Sequence, residues 1–140
     1  VMKTQEKLVY IVEDSRIIAD ILAKVISSIP NTKTKNFCNG ESMLNQLNYE
    51  MPDMIFLDYY LYENGRKINN NSSTMNGEQV FNEIIKVNPD IPVALLTGLD
   101  DYNIIEKMKA SGICCVIHKE VDDIYNSVLE CVQKYLPQTV

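Results

Sequence analysis

Leu8-Val-Tyr-Ile-Val12 runs directly into Glu13-Asp14. A short apolar run rich in β-branched residues reads as a strand buried on both faces. Immediately after the acidic pair, Ser15 is a fitting helix N-cap. Ile17, Ile18, Ile21, Leu22, Val25 and Ile26 then recur at helical spacing until Pro30-Asn31 breaks the pattern. One strand, one helix and a pair of carboxylates between them set the theme for the rest of the chain.

The unit recurs four more times. Thr32–Phe37 is a weaker strand, Asn39-Gly40 a turn, and Met43, Leu44 and Leu47 mark one face of a helix from Glu41 to Tyr49. Met54-Ile-Phe-Leu57 is another buried strand and runs into Asp58. Gly77–Val87 is helical, with Val80, Phe81, Ile84 and Ile85 on its apolar side. After the Asn88-Pro89-Asp90 turn, a strand from Ile91 to Leu96 reaches Thr97-Gly98. A helix from Asp100 to Ala110 ends at Ser111-Gly112. The last strand, Ile113–Ile117, reaches His118-Lys119, and the last helix, Val121–Leu136, turns Ile124, Val128, Leu129 and Val132 inward. Strict alternation of strand and helix predicts an α/β fold, (βα)5, with a doubly wound five-stranded parallel sheet and helices on both faces. Residues 59–76 interrupt it: Asn64-Gly65 and the tract Asn69-Asn-Asn-Ser-Ser-Thr74 are polar and read as a long, mobile loop insertion.

Bulk properties narrow the function. The 140 residues suit a single domain, 1–140, with a core from about 8 to 136. A formal net charge of -6 argues against a nucleic-acid surface in this chain, because phosphate contacts need clustered Lys and Arg. Cys38, Cys114, Cys115 and Cys131 contain no CxxC pair and His118 is the only histidine, which argues against tetrahedral zinc. Cys114 and Cys115, adjacent in an apolar run, read as buried, reduced thiols of a cytosolic protein. No apolar stretch approaches the ~20 residues of a membrane span. Val1–Lys7 lacks the apolar core of a signal peptide, so a cytoplasmic location is expected.

Ligands of open parallel sheets bind at the carboxyl ends of the strands. Here those ends carry Glu13-Asp14, Asp58, Thr97-Gly98 and Lys119. Three carboxylates brought close repel one another, and a hard divalent cation with oxygen ligands relieves the repulsion. Lys119 and the Thr97 hydroxyl suit a further anion. A carboxylate nucleophile beside a metal, a lysine and a hydroxyl is an arrangement for accepting a phosphoryl group. His118 reads as a strand residue with its tip exposed, neither phosphodonor nor metal ligand.

At these residues the chain resembles the response-regulator receiver family of two-component signalling. The matching pieces are Ile11-Val-Glu-Asp14, Ile55-Phe-Leu-Asp58, Leu95-Leu-Thr-Gly98 and Ile117-His-Lys119, spread from about Leu8 to Leu136. The resemblance implies strand order 2-1-3-4-5 and a phosphoacceptor at Asp58, which takes the phosphoryl group of a partner histidine kinase or phosphotransfer protein. It implies a Mg²⁺ (or Mn²⁺) site formed by Glu13, Asp14, Asp58 and the backbone carbonyl of Tyr60. Thr97, Gly98 and Lys119 would hold the phosphoryl group and report it to an output domain or protein. A homodimer face along helix 4, strand 5 and helix 5 is a further expectation; a membrane partner is not.

The chain also departs from the family. Asp58 and Gly77 stand nineteen positions apart, more than twice the family's usual loop. Val116 occupies a switch position that is usually aromatic, and Glu120 follows the lysine where proline is usual. Positions that tune phosphoryl lifetime hold Tyr60 and Leu99, both bulky and poor orienters of an attacking water, which implies slow self-dephosphorylation. Two other functions compete. An aspartyl-phosphate phosphohydrolase would need an acid/base residue two positions after the nucleophile, where Tyr60 stands, and a cap domain. A degenerate receiver would bind partners without phosphorylation; the missing aromatic and proline favour it, whereas the complete set Glu13, Asp14, Asp58, Thr97 and Lys119 opposes it.

Overall fold

The computed structural model describes residues 6–59, 75–98, 102–119 and 123–136, together with the backbone of 62–63 and 66–67. Strands and helices alternate: β1 (Lys7–Val12), α1 (Arg16–Ser27), β2 (Thr32–Phe37), α2 (Gly40–Leu47), β3 (Met54–Asp58), α3 (Gly77–Val87), β4 (Val93–Thr97), α4 (Tyr102–Ala110), β5 (Cys115–His118) and α5 (Ile124–Tyr135). All neighbouring strands of the five-stranded sheet run parallel, in the order β2-β1-β3-β4-β5. This is the expected fold and order.

Composition decides which strand sits where. β3 and β4 are buried at every position and β1 at all but its first, because helices cover both of their faces. β2 and β5 mix polar and apolar residues and form the two edges. One core layer lies between the sheet and α2, α3 and α4, built around Tyr10, Leu57, Phe81 and Leu95. The other lies between the sheet and α1 and α5, around Ile11, Leu22, Phe56, Leu96 and Val132. The methionines at 43, 54 and 108 fill these layers.

Local chemistry sets the helix ends. Ser15 caps α1 by accepting from the Ile18 N–H at 3.4 Å. Asn76 and Gln79 exchange side-chain-to-backbone hydrogen bonds of 2.9 Å at the start of α3, a full capping box. Gly112, at φ +117°, ends α4 where a side chain would be strained.

Several expectations shift. β4 begins at Val93 rather than Ile91, because Pro92 has no N–H to give a ladder. β5 begins at Cys115 rather than Ile113, whose N–H is used to close α4 on the Met108 carbonyl at 3.1 Å. On α1, Ile17 is 75% exposed and Ile21 37%; the inward face runs through Ala19, Leu22, Val25 and Ile26 instead. The tract read as an unstructured insertion holds two short antiparallel strands, Tyr62–Glu63 and Arg66–Lys67. The rest of it, 60–61, 64–65 and 68–74, lies outside the described residues. The cysteine expectation also changes: Cys115 and Cys131 are joined as a disulfide, and Cys38 and Cys114 are free. Cys115 opens the edge strand on the α5 side of the sheet, and Cys131 lies on the buried face of α5.

However long the insertion, its two ends meet. The Gly77 N–H donates to the Tyr59 carbonyl at 3.2 Å. A Cβ at Gly77 would lie 2.5 Å from the Asp58 carbonyl oxygen and 2.7 Å from the Tyr59 Cα. Those neighbours are backbone and cannot swing aside. Gly77→Ala is therefore expected to destabilise the fold by about 1–3 kcal/mol, the usual range for overpacking. Urea unfolding checks it, and a midpoint equal to that of the parent chain would refute the close approach.

Candidate functional site at the carboxyl edge of the sheet

Strand register brings the chemistry together. Val12 lies opposite Leu57, Asp58 opposite Leu96, and Thr97 opposite His118. β3 thus ends one step beyond β1 and β4 one step beyond β3, while β4 and β5 end level, and Glu13, Asp58, Thr97 and Lys119 come to one rim. The Lys119 N–H donates to the Thr97 carbonyl at 2.8 Å, extending the β4–β5 pairing past the strand itself.

At the centre, the Lys119 ammonium donates to Glu13 Oε1 at 2.9 Å and to Asp58 Oδ2 at 3.0 Å. The Glu13 and Asp58 side chains are essentially inaccessible, and that of Lys119 is 18% exposed. The other Glu13 oxygen accepts from the Ser15 N–H at 3.1 Å, so the cap of α1 also orients the site. Glu13, Asp14 and Asp58 each present a carboxylate oxygen within 4.8 Å of the other two.

Three carboxylates share one ammonium, and their ionisation reflects it. Burial, followed by the charge of Glu13, pushes Asp58 up to about 8, against the pull of Lys119. Burial also opposes charge on Glu13, but the hydrogen bond and charge of Lys119 outweigh it and hold Glu13 below the ordinary carboxylate range. Burial and Glu13 raise Asp14. Lys119 is raised: burial opposes its charge, but Asp58 and Glu13 together prevail. The site carries more negative charge than it can balance. Its donors are hard oxygens at mutual distances that suit a small divalent cation.

Glu13, Asp14, Asp58 and Lys119, named from the sequence, are brought together, and Thr97 is buried on the neighbouring strand. Gly98 follows it and is exposed. Val116 lies one strand over, opposite Leu95, half-buried against the layer under α2, α3 and α4. Tyr60, Leu99 and the Lys119–Glu120 peptide lie outside the described residues. Sequence reading missed the Ser15 backbone as a partner of Glu13. The signal was present in the N-cap, whose backbone turns toward the preceding acidic pair.

Fold and site together define a doubly wound α/β domain with an acidic, lysine-bridged site at the carboxyl edge of its sheet. Residues 9–127 match the model of the response regulator receiver domain, and the chain belongs to that family. It is 30% identical over 92 residues to a protein-glutamate methylesterase/protein-glutamine glutaminase of Treponema denticola. The match covers 65% of this chain and 22% of that protein, so it spans a small part of the relative's length. Among solved structures, the Mn²⁺-bound form of response regulator Rcp1 superposes with a TM-score of 0.76 at 20% identity, covering 96% of this chain and 97% of that one. The phosphorylated cyanobacterial phytochrome response regulator RcpA gives 0.77 at 20% identity, with the same coverage.

Folded Asp58 keeps its proton up to about pH 8, whereas an unfolded aspartate releases it near 3.8. Between those values the folded state binds more protons, so its stability falls as pH rises through the window. Asp58→Asn has no such proton to lose. In EDTA, the variant is expected to exceed the parent by on the order of 2 kcal/mol at pH 8 and by much less at pH 5. Denaturant unfolding at the two pH values measures it; a difference independent of pH would rule out charge strain at Asp58.

Proposed function

We propose that this chain is a phosphorylation-controlled switch whose acceptor is Asp58. The observation that carries the reading is the Lys119 ammonium set between Glu13 and Asp58, with a third carboxylate, Asp14, beside them. Family membership supports it, and so does the burial of Glu13, Asp58 and Thr97 at one rim.

The reaction is a transfer between two nucleophiles. A carboxylate oxygen of Asp58 attacks the phosphorus of a phosphohistidine on a kinase or phosphotransfer partner. A P–O bond forms, the P–N bond breaks, and the imidazole leaves with the electron pair. Glu13, Asp14, Asp58 and the Tyr60 carbonyl would hold Mg²⁺ or Mn²⁺, which supplies charge neutralisation for the carboxylates and for the incoming phosphoryl oxygens. That neutralisation matters at Asp58, which at neutral pH otherwise keeps its proton and is a poor nucleophile. Lys119, already paired to Asp58, is placed to follow the transferred group and pair with its oxygens. Thr97, buried on the adjacent strand, donates its hydroxyl to the phosphoryl group, and Gly98 leaves space beside it.

Catalysis on this reading is confined to the chain's own phosphorylation and dephosphorylation, in the cytoplasm, with output through a partner protein or domain. No described helix is long and apolar enough to cross a membrane. The whole chain is one receiver unit with an insertion at 59–76. With Val116 at the usual aromatic position, the signal leaves through shifts of α4, β5 and α5, the surface on which a homodimer would also form.

Incubation with Mg²⁺ and acetyl phosphate, followed by intact mass, tests the reading. One phosphoryl group should be gained, and both EDTA and Asp58→Asn should abolish the gain. No gain, with no binding of beryllofluoride, would replace the proposal with a phosphorylation-independent docking module. The same preparation tests lifetime: bulky Tyr60 and Leu99 orient an attacking water poorly, so the adduct should persist for minutes or longer. Decay within seconds would overturn that expectation.

A further inference from the structure

Away from the carboxyl edge, three sulfurs converge. One Sγ each from Cys114, Cys115 and Cys131 lies within 4.8 Å of the other two. Cys115 and Cys131 are bonded, and they are sixteen residues apart. Along a strand, adjacent side chains point to opposite faces. Cys114 escapes this because β5 starts only at Cys115, and both cysteines pack against the layer under α1 and α5.

An open groove of about 220 Å³ runs over the bond, between β5 and α5, lined by Cys115, Cys131, Ser127, Glu130, Lys134 and Tyr135. The bond is therefore within reach of a small thiol or disulfide from solvent. The two sulfurs differ in access: Cys115 is half-buried at the groove, and Cys131 is 5% exposed.

We propose that Cys115 and Cys131 form a reversible thiol–disulfide site that clamps α5 to the edge strand β5, with low-molecular-weight disulfides such as oxidised glutathione as oxidant. The Cys115 thiolate attacks one sulfur of the oxidant, forms a mixed disulfide and releases one thiol. The Cys131 thiolate then attacks Cys115 Sγ, the protein disulfide forms, and the second thiol leaves. Two protein thiols lose two electrons and two protons, and the oxidant is reduced to two thiols. Access decides the order, because the more exposed cysteine meets the oxidant first. Cys114 is a bystander: burial pushes its thiol up to about 11, so it is hardly ionised at neutral pH and a poor nucleophile. A compartment kept reducing would leave the clamp open at rest and close it under oxidation. The proposal does not depend on phosphorylation of Asp58.

The test uses the full chain in a Cys38→Ser background, which removes the exposed free thiol. The protein is equilibrated with glutathione at several redox ratios, quenched in acid, alkylated in denaturant and weighed. Oxidising mixtures should leave Cys114 as the alkylated thiol, and reducing mixtures should expose all three. Adding Cys114→Ser should leave the cross-link unchanged. Cys131→Ser should halt with one glutathione on Cys115, whereas Cys115→Ser should leave Cys131 unmodified. In the parent chain, reduction should lower the thermal midpoint by roughly 5–10 °C, given the short loop that the bond closes. Three alkylated thiols at every ratio would overturn the proposal. So would a cross-link containing Cys114, a zinc ion retained by the reduced trio in native mass spectra, or a midpoint indifferent to reduction.

Discussion

The Lys119 ammonium bridges two buried carboxyl groups, Glu13 and Asp58, and the carboxyl edge of the sheet is arranged around it. Charges so thoroughly buried are costly to desolvate, and close pairing offsets the cost only when every partner is present. The pairing ties the ends of β1, β3 and β5 to one point, although these strands are not all neighbours. It also leaves a residue of negative charge, because Asp14 adds a third carboxylate to one ammonium. Complete neutrality would leave no attraction for a cation, and a bare cluster of carboxylates would strain the fold.

A second constraint lies behind Asp58. Its carbonyl and the backbone of Tyr59 press against Gly77, at the first turn of α3. The end of β3 that carries Asp58 is thereby fixed from both directions, by β1 and β4 at its sides and by α3 behind. This explains how a nineteen-position excursion fits between Asp58 and Gly77 without loosening the site. Loop entropy grows slowly with length, and the hydrogen bond from the Gly77 N–H to the Tyr59 carbonyl closes the excursion at its base. The capping box of Asn76 and Gln79 then restarts regular structure at once.

Fold and site were legible to different depths, for physical reasons. Central strands announce themselves because burial on both faces demands unbroken apolar runs, as in Met54–Leu57 and Val93–Leu96. The site residues were legible because each follows such a run, and parallel order carries all the run ends to one edge. Less legible were features that rest on tertiary neighbours. Ile17 and Ile21 match the helical period as well as Leu22 and Val25 do, and only the packing of α1 on the sheet separates exposed from buried. The short antiparallel pair at Tyr62–Glu63 and Arg66–Lys67 was missed although Asn64-Gly65, between the two, is a strong hairpin signal. The joining of Cys115 to Cys131 follows from the placement of α5 against an edge strand, which no local spacing encodes.

The strands that carry the site are not equivalent. Glu13 follows and Asp58 ends a strand paired on both sides, whereas Lys119 follows β5, which is paired on one side only. The site therefore has a fixed half and a half that depends on whatever fastens β5: its ladder to β4, the Lys119 N–H to the Thr97 carbonyl, and its packing against α5. Mixed composition in β5, against the uniform apolarity of β3 and β4, is the sequence's record of that difference. The ammonium paired to Asp58 is thus carried by the strand with a single pairing neighbour. Cys115 opens β5, four residues before the Lys119 that follows the strand, so a covalent tie to α5 acts on the half of the site that β5 carries and not on the half fixed by β1 and β3.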